Sequence, residues 1–206
     1  SAGSWYKKGY WELTMDNKNF GAIVLAAGKG KRMNLKNVNK VALPLVDKPM
    51  IVHTVNLLEK VGIKEIVVVV GFAKKSVMNI LGSKVAFAEQ SKRLGTGHAA
   101  LCGFKKLPKD VDNVLIINGD DSAFYPQSLI KSLIKTHLLS EAAITFLTIE
   151  KNNPFGLGRI IRNSSGQVVA IVEEKDATTV QRKIKEINPG CYVFKMKLLK
   201  KYLRKI

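Results

Sequence analysis

Short apolar runs alternate along the chain with longer stretches in which apolar residues recur at helical spacing. The runs at 21–24, 65–70 and 113–117 are almost uninterrupted, which is typical of strands buried on both faces of a parallel sheet. Residues 50–61 instead place apolar side chains on one face of a helix, with Pro49 at its start. This alternation predicts an α/β fold with a mainly parallel sheet and helices on both faces.

Weaker patterns complete the predicted order of elements. Residues 163–166, Asn-Ser-Ser-Gly, form a turn signal between two short apolar runs and predict a small β-hairpin insertion. In sheets of this class, ligands bind outside the carboxyl ends of the strands. The remaining predicted elements are strands at 85–88, 142–149, 158–162, 167–172 and 191–194, an amphipathic helix at 127–139 and a helix starting at 198.

The first apolar run leads directly into a glycine-rich, cationic segment, Leu-Ala-Ala-Gly-Lys-Gly-Lys-Arg-Met at 25–33. Gly28 and Gly30 lack Cβ, so their backbone amides can close on an anion. Two lysines and Arg32 add positive charge, and the arginine fork suits phosphate geometry. The alternative is an ordinary strand-to-helix turn, but turns rarely combine two glycines and three cations in five residues. The segment therefore predicts a phosphate-binding loop.

This loop belongs to neither of the two commonest phosphate-binding patterns. GxxxxGK[ST] is absent, and GxGxxG fails because Met33 stands at its third glycine. The next apolar strand also ends without the acid that holds a ribose. The segment instead resembles the signature loop of sugar-phosphate nucleotidyltransferases, LAAGxGxRM followed shortly by a lysine. Lys40 stands where that lysine is expected.

Composition is typical of a globular enzyme domain. The 206 residues are 46% hydrophobic and 24% charged, which suits one large domain with a sizeable core. The net charge of +18 raises the alternative of a nucleic-acid binder. No stacking-aromatic pattern supports that alternative, and anionic substrates account for the charge more simply. We therefore expect small anionic substrates and no specific nucleic acid.

Cysteine usage and apolar runs bear on location and domain limits. Cys102 and Cys191 are far apart in apolar surroundings, which favours a reduced, cytoplasmic protein. No apolar stretch approaches the roughly 20 residues that span a membrane, so no membrane association is expected. Residues 1–14 are interpreted as a leader or an artificially added extension because Met15 could be the native start, and residues 15–206 as the enzymatic domain.

Two polar groups follow predicted strands. Asp120 comes after Gly119 at the end of a strand, opposite the cationic loop, where a Mg²⁺ ligand is usual. Gln90, which follows the strand at 85–88, could read the edge of a base. The segment at 94–98, Leu-Gly-Thr-Gly-His, then leads into a helix, which its threonine could equally well cap. The alternatives here are a plain turn for the aspartate and a structural role for His98.

The motifs together carry a specific resemblance. Over about residues 22–203, the chain resembles the uridylyltransferase domain of the bacterial bifunctional N-acetylglucosamine-1-phosphate uridylyltransferase/glucosamine-1-phosphate acetyltransferase family. The resemblance implies a Rossmann-like nucleotidyltransferase fold and UTP and a sugar-1-phosphate as substrates. The motifs that carry it, in order, are Gln90 with 94–99 (Leu-Gly-Thr-Gly-His-Ala), Gly119-Asp120, 156–160 (Gly-Leu-Gly-Arg-Ile), 171–178 (Ile-Val-Glu-Glu-Lys-Asp-Ala-Thr) and 186–190 (Glu-Ile-Asn-Pro-Gly).

The resemblance also implies roles for individual residues. Arg32 and Lys40 would be catalytic through the UTP phosphates, and Asp120 would bind Mg²⁺. Residues of the glycine loop would hold uridine, and three later residues would bind the N-acetylglucosamine group. The implied nucleotide-binding residues are Ala26, Ala27, Gly28, Gly30, Gln90, Gly95 and Thr96, and the implied sugar-binding residues are Gly158, Glu173 and Asn188.

The sequence departs from the family pattern at four places. Lys31 replaces the usual threonine or serine of the loop. The usual Gly-Asp-Val-Pro becomes the longer segment 119–126, which adds Asp121 beside the metal ligand. Pro189 stands where threonine is common. The chain also stops at Ile206, before the late asparagine that supplies a second metal contact and before the acetyltransferase domain, so a C-terminal truncation is expected.

The implied reaction transfers a uridylyl group from UTP to N-acetylglucosamine-1-phosphate for cell-envelope precursors such as those of peptidoglycan. Positioning and charge stabilisation would suffice, because the attacking phosphate oxygen is already anionic. One alternative is a glucose-1-phosphate uridylyl- or thymidylyltransferase. Another is a non-catalytic relative that senses nucleotide sugars, although such a protein should lose Arg32, Lys40 or Asp120. The sequence leaves the oligomeric state open.

Overall fold

The computed structural model describes residues 19–30, 33, 35–92 and 94–203, and the chain divides into two compact units. The first unit takes the residues up to 145 and those from 193 onward. The second unit takes residues 146–192, a single continuous segment inserted into the first. The leader expected at residues 1–14 lies outside the described residues.

Strands and short helices alternate along most of the described chain. None of its described helices has the length and apolar character needed to cross a bilayer. The helices are α1 (Met50–Lys60), α2 (Lys74–Leu81), α3 (Thr96–Phe104), α4 (Gln127–Ser140), α5 (Thr179–Arg182) and α6 (Met196–Leu203), with 3₁₀ turns at Lys40–Ala42 and Asp121–Phe124. The strands are β1 (Phe20–Ala26), β2 (Pro44–Leu45), β3 (Lys48–Pro49), β4 (Glu65–Val70), β5 (Ala86–Glu89), β6 (Asn113–Asn118), β7 (Ile144–Phe146), β8 (Ile149–Glu150), β9 (Gly158–Arg162), β10 (Val168–Val172), β11 (Glu186–Asn188) and β12 (Cys191–Lys195).

The first unit is built on a six-stranded sheet with the strand order β5-β4-β1-β6-β12-β7. Its central strand, β1, pairs in parallel with β4 on one side and with β6 on the other. The register places Ala26 opposite Val70 and Leu25 opposite Asn118, so all three strands end at one edge of the sheet. The mainly parallel sheet predicted from the uninterrupted apolar runs is confirmed.

At the β12–β7 edge of this sheet the strands are not parallel. The amides of Lys195 and Leu147 donate to the carbonyls of Ala143 and Cys191, so residue numbers rise along β12 as they fall along β7. These two strands are therefore antiparallel. Cys191 is fully buried in β12, and burial raises the pKa of its thiol to about 12, which keeps the thiol protonated.

Helices cover both faces of the parallel strands. Ile23 and Val24 are successive residues of β1 and so point to opposite faces. A Cβ on Gly103 of α3 would lie 2.5 Å from Ile23 Cγ2, so α3 packs on the first face. A Cβ on Gly119 would lie 3.1 Å from Ile51 Cδ1 of α1 and 3.2 Å from Val24 Cγ1, so α1 packs on the second. The predicted two-sided covering is confirmed.

The second unit is a four-stranded antiparallel sheet with the strand order β10-β9-β11-β8. Its β9–β10 hairpin is the predicted insertion, and the Oδ1 atom of Asn163 accepts hydrogen bonds from the amides of Ser165 and Gln167 in the turn. Gly166 completes the turn with a φ of +77°, which favours glycine.

One wrongly predicted strand and several missed elements, including α5 and β11, separate the sequence analysis from the structure. The strand predicted at 142–149 is wrong in its middle, because the chain there forms β7 and β8, which belong to different sheets. Its unbroken β-branched and apolar character carries no signal for the break. The α2 helix was not predicted because only Val77 and Leu81 of its eight residues are buried, and the two-residue strands β2 and β3 are too short for a pattern.

Gly103→Ala should destabilise the protein by about 1–3 kcal/mol, because the new methyl group would overlap Ile23 in a close-packed layer. The sign is informative, since replacing a mid-helix glycine with alanine in open space stabilises by up to about 1 kcal/mol. Denaturant unfolding checks the effect, with the exposed helical substitution Ser132→Ala as control. A Gly103→Ala protein as stable as the wild type would contradict this packing.

Candidate active site

The glycine loop leaves the sheet at the carboxyl end of β1, the edge at which ligands are expected. Ala26 and Ala27 are buried, and the chain emerges at Gly28, which is exposed. A Cβ on Gly28 would meet no atom within 4 Å, so the space beside it is open. Gly30 has a φ of +58°, so this position, rather than Gly28, needs glycine for its backbone conformation. The loop thus exposes backbone beside open space.

The cations of the loop are only partly described. Lys29 places Nζ 5.8 Å from the centroid of the Phe72 ring, within the range of a cation–π contact. Lys31 and Arg32 lie outside the described residues. The catalytic role of Arg32 therefore stays a prediction.

Lys40 and Asp120 form an ion pair across the strand ends. Lys40 Nζ lies 2.6 Å from Asp120 Oδ2, although the two residues are 80 positions apart. The other carboxylate oxygen, Oδ1, accepts a hydrogen bond from the Asp121 amide at 2.9 Å. Burial alone would raise the pKa of Asp120, but the hydrogen bond and charge of Lys40, with the Asp121 amide, outweigh it and lower the pKa. The carboxylate is therefore ionised at neutral pH.

A buried hydroxyl pair supports the turn that carries Asp120. Thr54 of α1 donates to the Gly119 carbonyl at 3.1 Å, and its Oγ1 lies 2.9 Å from Ser122 Oγ. Ser122 in turn donates to the carbonyl of Asn118, the last residue of β6. Both hydroxyl side chains belong to fully buried residues. Helix α1 thus fixes the backbone on either side of Asp120.

Asn39 ties the glycine loop to the residue before Lys40. This asparagine is buried, and its Nδ2 donates to the carbonyls of Ala26 and Phe72, each at 2.8 Å. Its Oδ1 accepts from the amide of Val41 at 3.2 Å, which caps the 3₁₀ turn containing Lys40. One side chain therefore joins the ends of β1 and β4 to the turn that presents Lys40.

Asp120 suits a magnesium ion in its donor type. Mg²⁺ prefers carboxylate oxygens, keeps several waters and takes few protein ligands besides substrate phosphates. Among the residues described, no group of three or more histidine, cysteine, aspartate or glutamate side chains could hold a metal. A single partly exposed carboxylate with a lowered pKa fits such a sparse site. Lys40 contacts Oδ2, so a metal ion bound through that oxygen would compete with the lysine.

Gln90 lies at the carboxyl end of β5 on the same sheet. The backbone amide of Gln90 donates to the Val70 carbonyl at 2.8 Å, and the residue is buried. The side-chain Nε2 donates to the Gly95 carbonyl at 2.9 Å and lies 3.1 Å from His98 Nδ1. Gly95 has a φ of +100° and precedes α3. The structure thus brings Gln90 and Gly95 together, as the predicted base site requires.

Thr96 is exposed and is the first residue of α3, so the capping role considered for it is wrong. The residue in the capping position is Gly95, which has no side chain to form a capping hydrogen bond.

The three residues predicted to bind the sugar meet in the second unit. Gly158 of β9 lies opposite Asn188 of β11 in the sheet register. A Cβ on Gly158 would lie 3.4 Å from Glu173 Oε1, so glycine leaves room for that carboxylate. The side chain of Asn188 donates to the Tyr192 hydroxyl and accepts from the Gly190 amide at 3.0 Å. Burial and the charge of Glu173 raise the pKa of Tyr192 despite this bond.

A buried arginine organises the loops around these residues. Arg159 is almost fully buried, and its Nη2 lies 2.6 Å from Glu174 Oε2. The same oxygen accepts the Gly156 amide at 3.1 Å, and Arg182 Nε lies 3.5 Å from Oε1. The hydrogen bond from Arg159 lowers the pKa of Glu174. This cluster joins the segment before Gly158 to the segment after β10.

Sequence reasoning missed the residues that hold these groups in place. Asn39, Thr54 and Ser122 are polar residues at buried positions. Only Thr54, which lies on the apolar face of its helix, has sequence neighbours that indicate burial. Arg159 and Glu174 lie inside the motifs of the family resemblance, but no role was predicted for them. The one available signal in the sequence is that Arg159 stands at the start of an alternating strand pattern. An arginine buried in such a strand requires a partner, so the pattern could have prompted a search for one.

A parallel sheet whose central strands end beside a glycine loop is the general architecture of Rossmann-like nucleotide-binding proteins. Residues 22–190 match the family of MobA-like NTP transferase domains, and the chain belongs to this family.

Two bacterial relatives extend this finding. The bifunctional protein GlmU of Carboxydothermus hydrogenoformans is 42% identical over 181 residues, which cover 88% of this chain and 40% of that protein. The bifunctional protein GlmU of Caldicellulosiruptor saccharolyticus is 44% identical over 186 residues, which cover 89% of this chain and 40% of that protein. The family resemblance is confirmed, and the chain spans about two fifths of the length of these relatives.

Two solved structures share the fold at lower identity. A Bacillus anthracis protein described as a glucose-1-phosphate thymidylyltransferase, in complex with a sucrose, superposes with a TM-score of 0.74 at 23% identity, covering 88% of this chain and 73% of its own. HddC from Yersinia pseudotuberculosis superposes with a TM-score of 0.68 at 22% identity, covering 88% of this chain and 79% of its own. These likenesses confirm the Rossmann-like nucleotidyltransferase fold.

Lys40→Met should strengthen the binding of Mn²⁺, used as a spectroscopic substitute for Mg²⁺, because it removes the cation that contacts Asp120 Oδ2. A partly exposed ion pair is worth about 0.2–1 kcal/mol, which corresponds to a gain of about one-and-a-half- to fivefold in affinity. Electron paramagnetic resonance titration without nucleotide measures the Kd. Lys48→Met is the control, and an unchanged Kd in Lys40→Met would rule out the competition.

Glu174→Gln should lower the Tm at neutral pH, since it leaves the buried Arg159 without its anionic partner. Because the folded-state pKa of Glu174 is below its ordinary value of 4.5, this stabilisation is present above that pH and is lost as pH falls through the lowered pKa. The Tm difference from the wild type should therefore shrink in acid. Thermal unfolding from pH 7 to pH 3 tests this, with Glu59→Gln as an exposed control. A constant difference would contradict it.

Proposed function

We propose that this chain transfers a uridylyl group from UTP to N-acetylglucosamine-1-phosphate, giving UDP-N-acetylglucosamine and pyrophosphate. The observation that carries the proposal is the Lys40–Asp120 pair, 2.6 Å apart beside the open glycine loop. A cation for phosphate and a carboxylate for a metal at one strand edge are what nucleotidyl transfer requires. The GlmU relatives and the five motifs in fixed order support the choice of reaction.

The reaction we propose needs no general base. An anionic oxygen of the sugar-1-phosphate attacks the α-phosphorus of UTP and forms a new P–O bond in line with the bond that breaks. The broken bond joins the α-phosphorus to the oxygen bridging to the β-phosphate, and pyrophosphate leaves with that oxygen. Lys40 stabilises the charge that develops on the phosphates, together with Arg32. The group held by Asp120, Mg²⁺ in our proposal, would neutralise phosphate charge.

Substrate recognition would use the nucleotide-binding and sugar-binding residues that the family resemblance implies. Gln90, Gly95 and Thr96 would read the uracil edge, and the loop backbone at 26–30 would hold the rest of the nucleotide. Glu173 is a carboxylate able to accept hydrogen bonds from sugar hydroxyls. Gly158 and Asn188, its neighbours in the second unit, would contact the N-acetyl group and the ring. Lys40 and Asp120 are both present, which argues against a purely sensing relative.

Location and biological role also belong to this proposal. UDP-N-acetylglucosamine would serve cell-envelope synthesis, including peptidoglycan precursors. The two free cysteines, of which Cys191 is buried, agree with a reducing cytoplasm. The interpretation of residues 15–206 as one enzymatic domain is likewise a proposal.

Pyrophosphate release across a panel of nucleoside triphosphates and sugar-1-phosphates tests the proposed function. UTP with N-acetylglucosamine-1-phosphate should be the preferred pair, and turnover should need Mg²⁺. Asp120→Asn should nearly abolish turnover and leave the fold intact, because it removes a charge at a strand end. Asp121→Asn is the matched control. It should reduce turnover less, since Asp121 contacts Asp120 through its backbone amide.

Two results would overturn the proposal or its details. Equal turnover of UTP, ATP and GTP would contradict the proposed selectivity for uridine. A larger loss in Asp121→Asn than in Asp120→Asn would mean that the metal ligand is wrongly assigned.

A further inference from the structure

The amide group of Gln90 has one orientation only. Its Nε2 lies 2.9 Å from the carbonyl oxygen of Gly95. A carbonyl oxygen can only accept a hydrogen bond, so the atom facing it must be the NH₂ group and not Oε1. Turning the amide over would set two oxygens against each other. The orientation of the side chain is thus fixed by chemistry.

The second N–H of this NH₂ group has an acceptor of its own. His98 Nδ1 lies 3.1 Å from Gln90 Nε2. Because an amide NH₂ group only donates, Nδ1 must carry a free lone pair and the ring proton must be on Nε2. The Cys102 sulfur, 4.0 Å from the same Nδ1, offers a thiol hydrogen to it as well. The contact with Gln90 therefore requires a lone pair on His98 Nδ1, and the Cys102 contact is compatible with it.

These two hydrogen bonds leave the Gln90 side chain able to accept a further hydrogen bond but not to donate one. Both side-chain N–H groups of Gln90 are taken by Gly95 and His98, and no residue in the described part of the chain donates to its Oε1. A base that meets this amide must therefore bring a donor. Uracil has an N–H at ring position 3, whereas cytosine has a bare nitrogen lone pair there. Cytosine has its donor on the amino group at carbon 4 instead, so in the position that uracil takes it would set its ring lone pair against Oε1, an unpaired contact at a buried residue.

We propose that His98 is a positioning residue that makes the nucleotide site selective for uracil over cytosine. It acts through Gln90, by taking up the second N–H that a cytosine ring nitrogen could otherwise accept. This inference rests on the proposed function in one respect, the placement of the base beside Gln90. It assigns a specific role to a histidine for which the sequence favoured a structural one.

Binding of UTP and CTP to the 206-residue chain tests the inference without relying on turnover. The wild type should bind UTP more tightly than CTP in calorimetry. His98→Phe keeps an aromatic ring but removes the acceptor, and it should reduce the ratio of the two Kd values about tenfold. His98→Leu should have the same effect. His98→Asn can present an oxygen near the position of Nδ1 and should restore much of the ratio.

The matched control is His53→Phe, which changes another partly buried histidine whose Nε2 lies 2.9 Å from the Leu45 carbonyl. It should leave the ratio unchanged. A merely structural role for His98 predicts equal weakening of UTP and CTP binding in both His98→Phe and His98→Leu, and that result would overturn the inference.

The two proposals fail in different ways. A wild type that binds UTP and CTP equally overturns the role of His98, whatever reaction the protein performs. A wild type that prefers UTP, loses the preference in His98→Phe, yet releases no pyrophosphate with any sugar-1-phosphate supports the role of His98 and overturns the proposed reaction.

Discussion

The parallel pairing of β1 with β4 and β6 is the constraint on which the candidate site depends. Its register ends the three strands at one edge, with Ala26 opposite Val70 and Leu25 opposite Asn118. Gln90 and Asp120 come to this edge because each follows a strand, and Asn39 holds the turn of Lys40 against it. A shift of one residue in either pairing would exchange the side chains that a strand presents to the two faces, so packing against the helices on both faces holds the register. The packing of the core therefore determines where the residues of the candidate site lie.

The sequence was sufficient for the parts of the fold that follow from apolar patterning. The parallel strands are uninterrupted apolar runs, and their order with helices implies the layers. It was also sufficient to place Gln90 and Asp120 at strand ends, because strand ends are visible as the points where apolar runs stop. Lys40 was identified only through the family resemblance, since it lies in a 3₁₀ turn. The break between β7 and β8 was not predictable, because both short strands have the same apolar, β-branched character and the change of sheet depends on their partners.

The supporting polar contacts were beyond the sequence for a different reason. Asn39 is buried by the ends of two strands that are distant from it along the chain, and its donors pair with carbonyls that no pattern identifies. Arg159 is similar, since the partner that makes its burial tolerable is 15 residues away on the far side of a hairpin. A buried polar side chain is stable only when its hydrogen bonds are made, and those partners are set by tertiary structure.

If the base lies beside Gln90 as proposed, the fixed orientation of the Gln90 amide accounts for only part of base selection. Hydrogen-bond polarity separates uracil from cytosine, but thymine carries the same ring N–H and differs from uracil only in a methyl group at carbon 5. Gln90 cannot sense that methyl group through the polarity of its amide. Any preference between ribouridine and thymidine nucleotides must then come from steric room around carbon 5 or from contacts with the sugar 2′-hydroxyl. Those determinants could change during evolution while the Gln90–His98 contact stayed the same.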